Sequence, residues 1–201
     1  MKKYELLVDD TISLFGKTLF RIKAKVAFGD VEEGGLGGYV EKESNLNQRG
    51  NAWISGNARV YGDARVSGNA EVSGNAWVYG DAWVYGDARV SGNAWVYGNA
   101  EVSGNARVSG DAWVYGNAEV SGNARVQSLK DYIAFKNNWS SGRYFTYTKS
   151  NKMWRVGCFY GTGQELIEKA YEDSENIGKH YEAYVNFVEQ LEALEADNDT
   201  K

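Results

Sequence analysis

From Gly50 to Gln127 the pattern of small, apolar and polar positions repeats every six residues. The unit Gly-(Asn/Asp)-Ala-x-(Val/Ile)-y is written thirteen times without an insertion or deletion. Val or Ile stands between two variable positions, x and y, filled from Trp, Arg, Glu, Tyr, Ser and Gln, with a small Ala two places before it. On an extended chain this alternation sends Val and Ala inward and both x and y outward. Gly followed by Asn or Asp falls where the chain must bend, because these residues tolerate positive φ and can bond their own backbone. Identical units bury a common core only by stacking, and three bends per turn predict a triangular prism.

The flanks have other patterns. Residues 1–49 predict a β-rich cap: strands over Tyr4–Val8 and Thr11–Phe15, a turn at Gly16-Lys17, and a strand over Thr18–Ala24. The glycine-dense run from Phe28 to Val40 turns the chain into the first coil. Its glycines do not read as a nucleotide loop, since no helix follows. Val40 and Leu46, six apart, begin the repeat spacing in degenerate form. Residues 128–201 form a different module, with strands expected at Tyr132–Phe135, Arg143–Tyr147 and Met153–Phe159 and a hairpin turn at Lys149–Lys152. Thr162 and Glu165 make a capping-box signature ahead of a first helix. A second, about Ile177–Leu194, carries Tyr181, Tyr184, Val188 and Leu191 on one stripe, and the polar tail after Glu195 is expected to fray.

The hexads resemble the hexapeptide-repeat family, whose fold is a left-handed parallel β-helix with three hexads, 18 residues, per coil. The resemblance covers residues 50–127 and implies a mainly β fold of about four coils, with the β-rich N-terminal cap and a small C-terminal β plus two-helix module. Gly29-Asp-Val, Leu36-Gly-Gly-Tyr-Val and Asn45-Leu-Asn-Gln look like the cap of a bacterial and phage group, described as acetyltransferase-like or polymer-forming. The segment from Gly157 to Thr162 resembles, less specifically, a module that accompanies such repeats in phage proteins.

Read at a period of 18, the outward positions sort into three faces. The first, face A, holds Arg59 with Tyr61, Trp77 with Tyr79, Trp95 with Tyr97, and Trp113 with Tyr115. Face B holds Trp53, Glu71, Arg89, Arg107 and Arg125 beside Ser55, Ser73, Ser91, Ser109 and Gln127; face C holds Arg65, Trp83, Glu101 and Glu119, with Tyr85 its only tyrosine. Coils about 4.8 Å apart make face A an apolar surface of several hundred Å², taking roughly 150–250 Å² per aromatic side chain. Monomers seldom leave such a patch open. Cover by the C-terminal helices or by a second copy is the plain reading, and a partner or ligand site is the functional one. The interface residues expected are Tyr61, Trp77, Tyr79, Trp95, Tyr97, Trp113 and Tyr115, with Arg89, Arg107 and Arg125 as a like-charged column seeking acids.

Composition narrows the chemistry. The 201 residues include no proline and one cysteine, which suits backbone donors committed to ladders and a reducing compartment. The early run Met-Lys-Lys-Tyr-Glu reaches acids before any apolar stretch, so neither a secretory signal nor a membrane span is expected and cytoplasmic is the default. A net charge of -5 conceals a +5 segment at 128–162 and a -8 segment at 163–201. The acidic total disfavours nucleic acid, although an acidic helical end could imitate a phosphate backbone; a solvated helix face is the plainer account.

Hexapeptide-repeat acyltransferases use a histidine presented by the coils, and residues 50–127 contain none. The one histidine, His180, lies near the last helix and reads as a surface residue; Cys158 reads as a small buried hydrophobe in a strand. One Cys and one His give no metal-ligand spacing, so no metal or cofactor is expected. The expected function is non-enzymatic: a phage- or prophage-encoded protein that binds macromolecules, self-associates, and in one version inhibits a host defence system. A carbohydrate-binding or acyltransferase-like protein is the alternative.

Overall fold

A computed structural model describes residues 2–199, with side chains through Glu195. The chain divides into two compact units, one running to Ile133 and including Thr148–Asn151, the other made of Ala134–Tyr147 and the chain from Lys152 onward. The first unit is a parallel β-solenoid. Each hexad supplies one two-residue strand, thirteen in all, β4 (Trp53–Ile54) through β16 (Arg125–Val126). Strands three hexads apart pair in parallel with identical positions in register, Trp95 on Trp113, Arg89 on Arg107 and Glu101 on Glu119, and so build three flat sheets. The Val and Ala columns are sealed, from Ala52 to Val126 at most 1% exposed.

Two features of the hexad set this register. The amides of Asn93, Trp95 and Tyr97 donate to Gly110, Ala112 and Val114 on the coil above at 2.8–3.0 Å, and the pattern recurs along the prism. All thirteen corner glycines hold φ between 63° and 74°, a left-handed conformation that is costly for residues with a Cβ. They also touch: a Cβ on Gly86 would stand 3.0 Å from the Gly104 nitrogen, and one on Gly92 2.9 Å from that of Gly110. Beside them the Asn side chains form ladders. Asn75 donates to Asn93 at 3.2 Å and Asn93 to Asp111 at 3.0 Å; on another corner Asn51 donates to Asn69 and Asn69 to Asp87. An amide accepts from below and donates above, whereas a carboxylate only accepts, so each of these runs ends on Asp.

The solenoid has about five turns rather than four. β3 (Leu36–Val40) pairs in parallel with Arg59–Val60, and Leu46 bridges to Val66, so Val40, Leu46 and Ile54 complete a turn below the first full one. Eight residues rather than six separate Leu46 from Ile54, which hides this turn from the hexad count. Ahead of it, β1 (Tyr4–Leu14) and β2 (Lys17–Ala24) form an antiparallel hairpin, with β2 paired to β3. The expected gap between Val8 and Thr11 is a bulge within one strand. The turn is Phe15-Gly16, one residue earlier than expected, with φ of 48° and 77°, since a two-residue hairpin of this kind needs positive φ at both central positions.

Both mouths of the prism are closed by polar-tipped side chains. Tyr4 is fully buried, its hydroxyl 2.7 Å from the Leu46 carbonyl and 2.8 Å from that of Glu43. Lys3 is buried beside it, donating to the carbonyls of Ala52 and Gly50 and lying 4.7 Å over the Phe28 ring. Burial pulls its pKa down to about 8. At the other end Tyr132 packs on the core, and burial pushes its phenol up to about 12.

β17 (Tyr132–Lys136), β18 (Tyr144–Thr148), β19 (Met153–Val156) and β20 (Phe159–Gly161) make a four-stranded sheet in that order, most of whose residues belong to the second unit. The single strand expected at Met153–Phe159 is two strands joined by Gly157-Cys158, with Gly157 at φ 59°. Cys158 is consequently exposed in a turn, correcting the expectation of a buried strand residue. α1 (Gly163–Asp173) starts on the expected capping box, Glu165 Oε2 accepting from the Thr162 amide at 2.7 Å. α2 (Glu175–Asp199) buries Tyr181, Val185 and Val188, Tyr181 edge-on to the Phe145 ring, while Leu191 faces out at 39% exposure. The expected frayed tail is helical in its backbone through Asp199, and the last two residues lie outside those described. Among the described residues no helix is long and apolar enough to cross a membrane.

Two measurements test these packing statements. Val84→Asp or Val96→Asp places a carboxyl in the dry column and is expected to cost about 4 kcal/mol or more, read as a lowered thermal midpoint or loss of the folded β spectrum. The second is pH. Lys3 releases its proton in the fold at about 8 but in the unfolded chain only near 10.5, so stability rises across that window. Tyr61 and Tyr132 hold their protons in the fold to about 12, while unfolded tyrosines ionise from 10, so stability falls above 10. Urea unfolding is therefore expected to show maximum stability between about pH 9 and 10, and Lys3→Met to remove the rise without removing the fall.

Candidate interface on the aromatic face

Face A is the place where the repeat's outward chemistry is most concentrated, because x and y positions of every third hexad fall in two parallel columns. The Tyr column is stacked, Tyr61 on Tyr79 and Tyr79 on Tyr97 with centroids 5.0 Å apart, then Tyr97 on Tyr115 at 5.5 Å. The Trp column is stacked too, Trp77 on Trp95 at 5.0 Å and Trp95 on Trp113 at 5.2 Å. The interplanar angles are 1–13°. Edge contacts tie the columns together, as between Tyr79 and Trp95 at 6.2 Å, and Arg59 lies 5.0 Å over Trp77 at the foot. Stacking has a chemical consequence: the inner rings spend both π faces on each other and turn mainly edges to the outside, so the ladder differs from a row of open platforms.

The ladder is covered at one end by the chain itself. Leu19, Tyr39 and Tyr61 form a small buried cluster, joined by the half-buried Ile12, Leu14, Trp77 and Tyr79. Phe15, at the hairpin tip, meets the edge of Trp77 at 6.3 Å. Over these lower rungs cover comes from the N-terminal hairpin, which was not among the covers expected, the C-terminal helices or a second copy. Exposure then climbs along the face, from Tyr61 at 8% through half-buried Trp95 and Tyr97 to Trp113 at 41% and Tyr115 at 46%. The phenols follow the same gradient. Burial, reinforced by Tyr79, pushes Tyr61 up to about 12, and burial with the next tyrosine above raises Tyr79 and Tyr97. The apolar hairpin positions Ile12, Leu14 and Leu19 are visible in the sequence; what alternation alone does not say is that they fold onto an outer face.

The three arginines lie on face B, not beside the ladder. Arg89, Arg107 and Arg125 are stacked in register and, with Ser91, Ser109 and Gln127, line a shallow groove of about 350 Å³. Arg89 meets Glu71 at 3.4 Å; Arg107 and Arg125 have no carboxylate partner among the described residues. Like charges directly opposite one another across a sheet repel, so this column favours an acidic neighbour. Trp53, at the foot of the same face, is withdrawn from the surface by Phe28 and Tyr4. Of the groups considered for catalysis, His180 Nδ1 donates to the Asn176 carbonyl at 2.7 Å, a bond within its own helix, and Cys158 is the turn residue described above. Among the described residues no group of three or more His, Cys, Asp or Glu is placed to hold a metal ion.

A protein-family model described as the YdcK beta solenoid repeat matches residues 52–68, 64–80, 70–86, 82–98 and 100–116. The starting points differ by multiples of six, so the matches step along the chain in whole hexads. No curated protein matches the chain. The chain is therefore similar, through most of its stacked coils, to a β-solenoid repeat, and it is a repeat protein of that architecture.

Proposed function

We propose that this chain is a non-catalytic binding protein whose contact surface is the open end of the aromatic ladder: Trp95, Tyr97, Trp113 and Tyr115. One observation carries the reading: the ladder is sealed by the protein's own hairpin over its lower rungs and grows steadily more exposed over its upper ones. An edge-on array of Trp and Tyr suits a protein partner, which supplies complementary apolar side chains. It suits a sugar less, because stacking on a carbohydrate uses the ring faces that the rungs already spend on one another. A second copy is the first occupant in this reading. Its Glu101 and Glu119 are stacked at the same pitch as Arg107 and Arg125 and offer opposite charge to fix register. The left-handed winding implied by the hexads belongs to the same proposal, as does a reducing, cytoplasmic setting, which suits an exposed lone thiol. A phage-type protein acting on a host defence component is the reading that replaces self-association if the chain is a monomer.

Light scattering at low and high salt tests this. The wild type is expected to be an oligomer, and Trp113→Ala/Tyr115→Ala or Trp95→Ala/Tyr97→Ala a monomer, since truncating a hot spot costs about 2 kcal/mol or more. A wild-type monomer ends the self-association reading in favour of a foreign protein. The same oligomer in all three removes the ladder from the contact. Catalysis is tested separately: acetyl transfer from acetyl-CoA to amines or sugars is expected to stay at the uncatalysed rate, and a rate lost on His180→Ala would overturn the non-catalytic reading.

A further inference from the structure

The geometry points to a second, independent binding site on face C: a small hollow under Trp83 that takes an acidic sugar, a uronate- or sialate-type unit with a carboxylate, several hydroxyls and one flat C–H face. Trp83 differs from the face A tryptophans because its column neighbours are Arg65 below and Glu101 above. No ring stacks on it within the column. Tyr85 lies against it at 4.2 Å and 33°, and its indole Nε1 donates to Ser67 Oγ on the coil below at 3.1 Å, fixing the ring as a wall at 41% exposure. The hollow beneath has a volume of about 510 Å³ with Leu46 and Val66 among its lining, which is within the ordinary range for small-ligand sites.

The polar groups around this hollow are mostly donors. Arg65 is exposed and makes no ion pair among the described residues, its near neighbour Asp63 being held by Lys42 at 2.7 Å. Gln48 uses its Oε1 to accept from the amides of Lys3 at 2.8 Å and Tyr4 at 3.4 Å, which fixes the opposite atom as NH2; that buried Nε2 has no partner. Asn47 Oδ1 accepts from the Arg49 amide, leaving its own NH2 to donate outward. The one carboxylate of the lining, Glu43, is paired with Lys2. The Arg65 guanidinium with the exposed Asn47 amide beside it calls for an acceptor-rich ligand, and a carboxylate matches Arg65 best. A single aromatic wall with the Asn47 amide and the hydroxyls of Ser44 and Ser67 along the rim fits a ring with one apolar face and hydroxyls on its edge.

The test follows the Trp83 indole N–H in proton–nitrogen correlation spectra, assigned by its loss in Trp83→Ala, while glucuronate, galacturonate or N-acetylneuraminate is added to the whole chain. At least one of these acids is expected to give a saturable shift, weakened about tenfold or more in Arg65→Gln and absent at other tryptophans. Glucose is expected to bind at least about tenfold more weakly than the acid. Both substituted residues are exposed, and unchanged circular dichroism establishes that the variants fold. Equal binding of glucose, an unchanged affinity in Arg65→Gln, a shift with benzoate or inorganic phosphate but with none of the acids, or no saturable shift up to about 50 mM acid would each overturn the proposal.

Discussion

The structure depends on one close contact, glycine backbone against glycine backbone at the corners of successive coils. A side chain there would need to adopt a left-handed backbone and stand about 3 Å from the next coil's main-chain atoms, and neither is tolerated cheaply. Because the contact recurs at every corner, coils stack without slip, and residues 18 apart sit one above another on every face. The dry Val and Ala columns, the Asn ladders and the stacked rings are all consequences of that register.

In such a scaffold each outward column either gains or loses by likeness. Stacked Trp and Tyr gain ring contacts, so face A contributes to the prism's stability as well as to its surface. Stacked Arg loses, and the column on face B persists with only Glu71 to offset it among the described residues. Amides are neutral in this respect, since each both gives and receives, and an Asp ends the run. The differences among the three faces therefore lie in the x and y residues, with the Asn or Asp choice at the corners, the positions that the core does not constrain.

The fold was legible because hexad spacing, inward Val and bend residues all state the same geometry. What escaped has physical causes. Leu46 to Ile54 spans eight residues, so only the six-residue step from Val40 to Leu46 marks the first turn in the sequence, yet its inward positions pair as the others do. Ile12, Leu14 and Leu19 read as strand residues, but whether a hairpin lies beside a prism or folds over its face is a tertiary choice that alternation does not encode. Cys158 followed from reading an apolar run as one strand where Gly157, at positive φ, divides it. The aromatic columns were placed correctly by period, whereas their ring stacking, which turns a platform into an array of edges, needed side-chain geometry. Trp83 was invisible as a site because its character comes from what its column lacks.

The claim that the open rungs of the ladder are a contact surface is tested most directly by hydroxyl-radical footprinting across a dilution series, with Trp139, 79% exposed in the other unit, as the internal reference. Oxidation of Trp113 and Tyr115 is expected to fall relative to Trp139 as the protein is concentrated, while Tyr61 stays protected throughout. Equal oxidation of Trp113 and Tyr115 at every concentration, in a protein that does associate, would contradict the claim.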